Sequence, residues 1–439
     1  MDLEESLAIP SPLPLEEEPT SAIPPPLPWD LEPPTVVLAP LVPHPAKDRL
    51  LALDVCRGIA ICGILAVNIG SFSMIEIARR MPQYGGGTDP LNFGIWQAIM
   101  LLADTKFIAM FSILFGAGIA LLTNPDREGG SLRAPAYYRR MIFLMFIGYL
   151  HGHYLWFGDI LFVYGAYGCL LFPLRRLPGP VLLLLGMAAV GFDAWMFGWS
   201  YGRSFDPWDA HYETQAALAG WAEQAPWREG MARRLETEMA VFFAPQGVGY
   251  MLLGIGLARM RVLTGQCAIG IYLAMAFLLP LGVVTIGLPS NWCRMLAETA
   301  IDDKARAGAY WGSLMVTFGW FGIGILLSRW FPRFAATRAL AAMGRMALTN
   351  YLMQSLICTT IFYGFGFGMF GQMDRAGQVK VVVAIWIFQL LLSSAWFRWF
   401  EFGPVEWAWR LATYLRVPPL RKIRAPDLPV QAAVAPDAG

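Results

Sequence analysis

The chain has 439 residues, a net charge of +1 and a mean hydropathy of +0.48, with 56% hydrophobic and only 15% charged residues. A soluble globular domain has about 25% charged residues, so the composition argues against such a domain and indicates an integral membrane protein. The near-neutral charge does not point to a nucleic-acid partner, and we expect none. The six cysteines are scattered without a C-x-x-C pair. We therefore expect neither a disulfide framework nor a bound metal.

The N-terminal segment differs in composition from the rest of the chain. Residues 1–46 contain thirteen of the 32 prolines and an acidic cluster at Glu16, Glu17 and Glu18. Such a segment cannot close a helix or bury a core, so the sequence predicts a disordered Pro-rich tail. Two interpretations stay open for it, a solvated tail and a docking segment for a partner. It lacks the basic and apolar regions of a signal peptide.

From Asp48 onward the chain is a series of apolar stretches, each long enough to cross about 30 Å of hydrocarbon as a helix. The sequence therefore predicts an all-α fold, a polytopic membrane helix bundle of about ten transmembrane helices. We expect the spans at residues 53–75, 95–122, 139–156, 158–175, 180–199, 240–259, 267–288, 309–329, 346–368 and 380–399.

The spans divide the chain into five parts. Spans one to five occupy residues 47–199, an amphipathic connection occupies 200–239, spans six to ten and an interfacial helix occupy 240–415, and tails occupy 1–46 and 416–439. With a cytoplasmic N-terminus, twenty Lys and Arg residues fall on the inner side and eleven on the outer side. This bias predicts that both termini are cytoplasmic, and it puts the turn before Asp159 on the outer face.

Three polar residues interrupt the apolar sequence between the third and fourth spans. They are His151, His153 and Asp159. A neutral imidazole can accept a proton from a hydroxyl or amine, and a nearby carboxylate fixes its tautomer. These residues are therefore candidate catalytic groups. The alternative interpretation is two interfacial histidines and an Asp that caps the next helix, and one Asp can do both.

Other polar residues lie within predicted spans. Asp54 and Arg57 are three residues apart in the first span, so they share a helix face and can pair, and Asn68 lies three turns further on. Lys106, in the second span, either binds an anionic group or is paired structurally. In the ninth span, Arg345, Asn350 and Gln354 belong to a polar stripe. That stripe either forms hydrogen bonds between helices or lines a substrate cavity.

Several stretches of the chain resemble the YeiB-like family of membrane proteins, whose C-terminal part is a domain of unknown function. They are LDVCRGIAICGILAVNI (53–69), FSILFGAGIALL (111–122), HGHYLWFGDILFVYGAYG (151–168), GRMALTNYLMQSLICTTIFYGFGFGMFG (344–371) and FEFGPVEWAWRLATY (400–414). The resemblance covers roughly residues 48–415, and its C-terminal block is the most specific signal.

The resemblance implies a direction for the function. The family is grouped with transmembrane acyltransferases, which include the lysosomal heparan glucosaminide acetyltransferase and the bacterial acyltransferase-3 proteins. Those enzymes move an acyl group from a cytoplasmic donor such as acyl-CoA to an acceptor across the membrane. The LD-x-x-RG opening of the first span is shared, here at Asp54, Arg57 and Gly58. Acyltransferase-3 proteins carry a His further along that span, and this chain has Asn68 there, so the base has to come from elsewhere.

The first hypothesis is therefore a multi-pass acyltransferase in a bacterial inner membrane. An acyl-CoA co-substrate enters near Arg57, Lys106 and Arg345, and His151 or His153, oriented by Asp159, deprotonates the acceptor. Asn68, Asn350 and Gln354 line the cavity and stabilise an oxyanion. Expected partners are the bilayer and the small-molecule donor and acceptor, and a homodimer is left open. The second hypothesis is a transporter of a small polar or anionic solute, and the third is a scaffold in a membrane complex.

Overall fold

A computed structural model of the chain describes residues 50–124, 132–200, 208–241, 243–287 and 303–422. The described part is built from helices. They are α1 (Leu51–Ser73), α2 (Glu76–Arg80), α3 (Pro90–Leu102), α4 (Lys106–Leu122), α5 (Ala134–Leu150), α6 (Leu161–Leu171), α7 (Gly179–Ser200), α8 (Trp208–Leu218), α9 (Ala225–Val241), α10 (Ala244–Arg259), α11 (Ile269–Gly287), α12 (Asp303–Trp330), α13 (Ala335–Arg345), α14 (Ala347–Phe362), α15 (Arg375–Trp399) and α16 (Pro404–Tyr414). The predicted tail 1–46 lies outside the described residues, and so does the part of the predicted tail 416–439 that follows residue 422.

The helices confirm an all-α membrane bundle. Six helical segments are long and apolar enough to cross a bilayer: Leu51–Ser73, Pro90–Leu122, Gly179–Met196, Ile269–Gly287, Gly308–Trp330 and Arg375–Trp399. The other four predicted spans coincide with the shorter helices α5, α6, α10 and α14. Each of the ten predicted segments is therefore helical, and six of them meet the length and composition of a span by themselves.

The second predicted span is broken into two helices. The backbone turns at Thr105, whose φ of 66° is left-handed, and α4 begins at the next residue. The Lys106 ammonium donates to the Met100 carbonyl at 2.6 Å, which satisfies an acceptor near the end of α3. From α12, the Thr317 hydroxyl donates to the Lys106 carbonyl at 3.2 Å. The break is therefore held by hydrogen bonds from both sides.

Glycines allow the backbones of α4 and α10 to come into contact. A methyl group on Gly116 would lie 2.0 Å from the Met251 carbonyl oxygen, and one on Gly254 would lie 2.0 Å from that of Ile113. Both positions exclude any larger side chain unless the helices separate. Gly118, by contrast, has no neighbouring atom within 4 Å of such a methyl group. Of the two glycines in α4, only Gly116 is needed for close helix packing.

Helix α16 lies where the sequence predicts an interfacial helix after the last span. It is amphipathic and packs against α5, where the Trp409 indole donates to the Arg140 carbonyl at 2.7 Å and the Arg140 guanidinium lies 3.5 Å from the Trp409 ring centroid. The 200–239 connection contains α8 and α9, and α9 with the loop before it lies over the turn that follows α5.

Gly116→Ala should lower the free energy of unfolding by about 1–3 kcal/mol, because the added methyl group overpacks the α4–α10 contact. Thermal unfolding of the purified protein in detergent measures this loss. Gly118→Ala is the matched control, two residues away on an open face, and it should leave the midpoint unchanged or raise it slightly. A midpoint for Gly116→Ala equal to that of Gly118→Ala would contradict the packing.

Candidate functional site

The candidate site is the turn between α5 and α6. Residues His151–Leu155 form a single π-helical turn at the end of α5, and such turns occur frequently at functional sites. Two glycines let the returning chain approach α5. A methyl group on Gly148 would lie 2.2 Å from the Phe162 amide nitrogen, and one on Gly152 would lie 3.3 Å from the Asp159 Cβ. The HGHYLWFGD sequence therefore folds back tightly enough to bring its ends together.

The fold joins His151 and Asp159 in a buried pair. The distance from His151 Nδ1 to Asp159 Oδ1 is 2.8 Å, and the two side chains are 1% and 6% exposed. The other carboxylate oxygen, Oδ2, accepts the Phe162 amide N–H at 2.9 Å in the first turn of α6. Asp159 is thus both a helix cap and the partner of a histidine. One carboxylate therefore makes both the capping contact and the contact with a histidine.

The second nitrogen of His151 has no hydrogen-bond partner among the described residues. Nε2 is buried, and the ring is flanked by Tyr351, with centroids 5.2 Å apart, and by Trp156, at 6.2 Å. When Nδ1–H donates to Asp159, a neutral ring has its lone pair on Nε2. The arrangement is that of a histidine oriented by a carboxylate, with its basic nitrogen aimed into the protein interior.

His153 has a different environment. Its Nδ1 lies 3.2 Å from the Tyr149 carbonyl and 3.9 Å from Glu236 Oε1, and its ring stacks on Tyr149 at 4.3 Å. It therefore faces α9 and not Asp159. Of the two candidate histidines, only His151 is brought into contact with the predicted carboxylate.

One side of the turn, with His151, Trp156 and Asp159, is buried inside the bundle. The Tyr351 hydroxyl donates to the Gly158 carbonyl at 3.2 Å. Tyr351 is four residues from the start of α14 and eleven from its end, about 6 Å and 16 Å along the axis. On the far side, the Trp156 ring stacks on Phe72, near the end of α1, at 4.1 Å. His151 thus lies between the ring of Tyr351 on one side and the stacked rings of Trp156 and Phe72 on the other.

Helix α9 and the loop that precedes it cover the turn. Arg228, only 2% exposed, donates through Nε to the His153 carbonyl at 2.8 Å, and the Trp221 indole donates to the Tyr154 carbonyl at 3.0 Å. These hydrogen bonds satisfy two carbonyl groups that the π-helical turn leaves without helical partners. The connection that the sequence predicts as interfacial is therefore also part of the enclosure around His151.

The start of α1 and the end of α13 form a second polar group. The Arg57 guanidinium pairs with Asp54 at 2.9 Å and is 30% exposed. A methyl group on Gly344 would lie 1.9 Å from the Asp54 carbonyl oxygen, so the two helices touch here. Arg345, next in sequence, stacks its guanidinium over Phe397 at 3.6 Å. The structure thus brings Arg57 and Arg345 to the same end of the bundle.

The polar stripe on α14 forms a network between helices. The Gln354 amide donates to the Ile61 carbonyl at 3.3 Å and to Gln389 Oε1 at 2.9 Å, which links α14 to α1 and α15. The Asn350 amide donates to the Met343 carbonyl and to the Ser393 hydroxyl at 3.0 and 3.1 Å. Both amide groups therefore have their N–H donors engaged within the protein.

The remaining candidates, Lys106 and Asn68, lie elsewhere along the bundle. Lys106 is 3% exposed, and a methyl group on Gly63 would overlap the ring of the adjacent Phe107 at 2.1 Å. Lys106 is therefore beside the middle of α1, about 9 Å along the axis from Arg57. Asn68 is half-buried in the second half of α1. Within the described residues, no group of three His, Cys, Asp or Glu side chains could hold a metal ion.

Sequence reasoning missed Tyr351 and Glu406. Glu406 on α16 accepts the Leu348 and Thr349 amide N–H groups at 2.8 and 3.0 Å and the Thr349 hydroxyl at 2.6 Å, so it caps α14 from another helix. Removal from water raises the pKa of Glu406, and the hydrogen bonds from Thr349 and Leu348 oppose that rise. Both residues lie in stretches that carry the family resemblance, and only the fold reveals their contacts.

Comparison with known proteins identifies relatives over most of the chain. The profile of a family described as "Protein of unknown function (DUF418)" matches residues 257–416. The chain is 32% identical over 393 residues to "Uncharacterized protein YeiB" of Escherichia coli (strain K12), covering 83% of this chain and 96% of the relative. It is 28% identical over 402 residues to "Uncharacterized protein YxaH" of Bacillus subtilis (strain 168), covering 88% and 99%.

A double-mutant cycle with Gln354→Leu and Gln389→Leu should give a coupling free energy of about 0.6 kcal/mol, with an upper limit of about 1.7 kcal/mol. The reason is that the hydrogen bond between the two amides joins α14 to α15. Thermal or denaturant unfolding in detergent supplies the four stabilities. Additive effects of the two substitutions would show that the amides do not stabilise each other, and would favour a cavity-lining role for Gln354.

Proposed function

The chain belongs to the YeiB family of integral membrane proteins, and we propose that it is a membrane-embedded acyltransferase. It would move an acyl group from a cytoplasmic acyl-CoA-type donor to a hydroxyl or amine acceptor. The proposal is carried by one observation, the buried His151–Asp159 pair with an unpartnered Nε2. Such a pair is suited to removing one proton and returning it, which is what acyl transfer requires.

The reaction assigns a separate task to each member of the pair. Nε2 of His151 takes the proton of the acceptor O–H or N–H, and that heteroatom attacks the thioester carbonyl carbon. The tetrahedral oxyanion collapses, the C–S bond breaks, and the imidazolium returns the proton to the leaving thiolate, giving a thiol and the acylated acceptor. Asp159 holds the proton on Nδ1 and stabilises the imidazolium. In this scheme, His153 takes no part in proton transfer.

Charges at the Arg57 end of the bundle support a donor site there. Arg57 is partly exposed, and it can exchange its pairing with Asp54 for a phosphate, which guanidinium groups bind well. Arg345 lies at the same end. Because Tyr351 is only about 6 Å from the start of α14, a long thioester arm from this end can approach His151. Lys106 lies nearer the midplane, where its charge favours an anionic part of the substrate.

The oxyanion in this scheme is stabilised by Asn68. The N–H donors of Asn350 and Gln354 are engaged with Met343, Ser393, Ile61 and Gln389. These two amides therefore act by positioning α14, which carries Tyr351, and not by binding the oxyanion. Asn68 is half-buried and lies one helical turn before Phe72, whose ring stacks on Trp156 beside His151.

The proposed orientation has the Arg57 end in the cytoplasm. The excess of Lys and Arg on that side of the spans supports it, and both termini are then cytoplasmic. The bacterial relatives support a bacterial inner membrane. The face of the turn that α9 covers would then meet the acceptor from the other side, so that donor and acceptor approach His151 from opposite directions.

His151→Ala and Asp159→Asn should each reduce acyl transfer by about 10²–10⁴-fold, because each removes proton transfer at the reacting centre. His153→Ala is the matched control and should keep most of the activity, since His153 faces Glu236 and not Asp159. The assay is transfer of a labelled acetyl group from acetyl-CoA to acceptors of the parent membrane extract. Equal activity in the His151 and His153 variants would overturn the assignment of the base.

Acyl-CoA should raise the thermal unfolding midpoint of the purified protein. A ligand present at 100 times its Kd adds about 2.7 kcal/mol to the stability of the folded state. Acetyl-CoA and longer acyl-CoAs are tested in turn, and Arg57→Ala should lose the shift while His151→Ala keeps it. A protein that no thioester stabilises would favour the transporter hypothesis, and solute uptake into proteoliposomes would then be the next measurement.

A further inference from the structure

A second buried carboxylate lies far from His151 in sequence. Asp193 is the one charged residue of α7, an otherwise apolar helix, and it is 4% exposed. The Tyr310 hydroxyl on α12 donates to Asp193 Oδ2 at 2.8 Å and to the Val190 carbonyl at 3.2 Å. The Gln246 amide on α10 in turn donates to the Tyr310 hydroxyl at 3.2 Å. Three helices thus contribute to one polar cluster inside the bundle.

The packing of α7 on α10 places Asp193 in this cluster. Gly179, Gly186 and Asp193 are seven residues apart and lie on one face of α7. A methyl group on Gly256 would lie 3.0 Å from the Gly179 carbonyl oxygen, and one on Gly249 would lie 3.0 Å from that of Gly186. At Gly179 and Gly186, the backbone of α7 therefore contacts α10, and Asp193 occupies the next position on the same face.

The electrostatics of the cluster call for a positive charge. Among the described residues, no Lys or Arg pairs with Asp193, and the titratable groups around it are Tyr310, Tyr250 on α10 and Tyr167 on α6. Tyrosine hydroxyls can donate hydrogen bonds but do not supply a charge. A carboxylate in the hydrocarbon layer is costly unless it is neutralised or paired. Within the part of the chain that the structure describes, no side chain of this cluster supplies that charge.

We propose that Asp193, with Tyr310 and Gln246, forms a binding site for a single positive charge taken from solution, either a proton or a sodium ion. Both neutralise the same carboxylate, and the surrounding hydroxyl and carbonyl oxygens accept either. The site lies on α7, α10 and α12, so it is separate from the α5–α6 turn that holds His151. It gives the bundle a way to respond to the ion composition of one aqueous side.

The test compares the thermal unfolding midpoints of the wild type and Asp193→Asn in detergent. The amide of Asn keeps an acceptor for Tyr310 and needs no counter-charge. Midpoints are measured from weakly acid to neutral pH, in sodium chloride and in choline chloride at equal ionic strength. Tyrosines titrate at about pH 10, so a difference between the two proteins in this range belongs to the carboxylate.

Each outcome decides the proposal. A bound proton predicts that the wild type loses stability relative to Asp193→Asn as the pH rises, in either salt. A bound sodium ion predicts that sodium, but not choline, raises the wild-type midpoint towards that of the variant or above it. A difference that is constant across pH and both salts would overturn the proposal, because a basic group of the protein itself would then neutralise Asp193.

Tyr310→Phe keeps the test informative should Asp193→Asn fail to fold. It removes the hydroxyl that donates to the carboxylate. A bound proton therefore predicts a larger pH dependence of the midpoint than in the wild type, whereas a bound sodium ion, which loses a ligand, predicts a smaller sodium dependence. Thr285→Val on α11 is a polar-to-apolar control, since the Thr285 hydroxyl bonds within its own helix. An unchanged dependence in Tyr310→Phe would also overturn the site.

Discussion

Hydrocarbon offers no hydrogen bonds, and this constraint governs how the buried polar residues of the bundle are arranged. Gln354, Gln389 and Asn350 satisfy one another and the backbones of neighbouring helices. Lys106 and Trp320 satisfy carbonyl groups where α3 ends. His151 Nε2 and Asn350 Oδ1 are among the buried side-chain atoms that have no partner within the described residues. His151 differs from the others because its second ring nitrogen is bound to a carboxylate, Asp159, and the proposed catalytic role rests on that combination.

The position of His151 matters as much as its partner. A reaction between a donor and an acceptor on opposite sides of a bilayer needs a centre that both can reach. The contact with Tyr351 ties the turn to the early part of α14, and the contact of Trp156 with Phe72 ties it to the late part of α1. The turn therefore reaches into the bundle, while Arg228 and Trp221 close it from the other side. Burial also strengthens the interaction between the imidazolium and the carboxylate, because the local dielectric is low.

The apolar stretches were sufficient to predict the fold, since hydrophobic length and helix geometry alone require a membrane bundle. The pairing of His151 with Asp159 could also be predicted, because the two residues are only eight positions apart across one turn. The different environments of His151 and His153 could not be predicted from the sequence, because they depend on which face of the turn meets α9. For the same reason Tyr351, Glu406 and Asp193 escaped sequence reasoning. Their partners lie on distant segments, and nothing in the local sequence encodes a contact between helices that are neighbours only after folding.

The proposed acyltransferase function leaves one position to explain, Asn68, where acyltransferase-3 proteins carry a histidine on the first span. The structure offers a physical reason why the base can move. Phe72 lies one helical turn after Asn68, and its ring stacks on Trp156, which lies edge-on to His151. The α5–α6 turn thus meets the same half of α1 that would otherwise carry the histidine. In the proposed reaction, a base on the turn would work close to the region that a base on α1 would serve, and Asp159 would orient it. Asn68 would then supply a neutral donor for the negative charge that develops in that region.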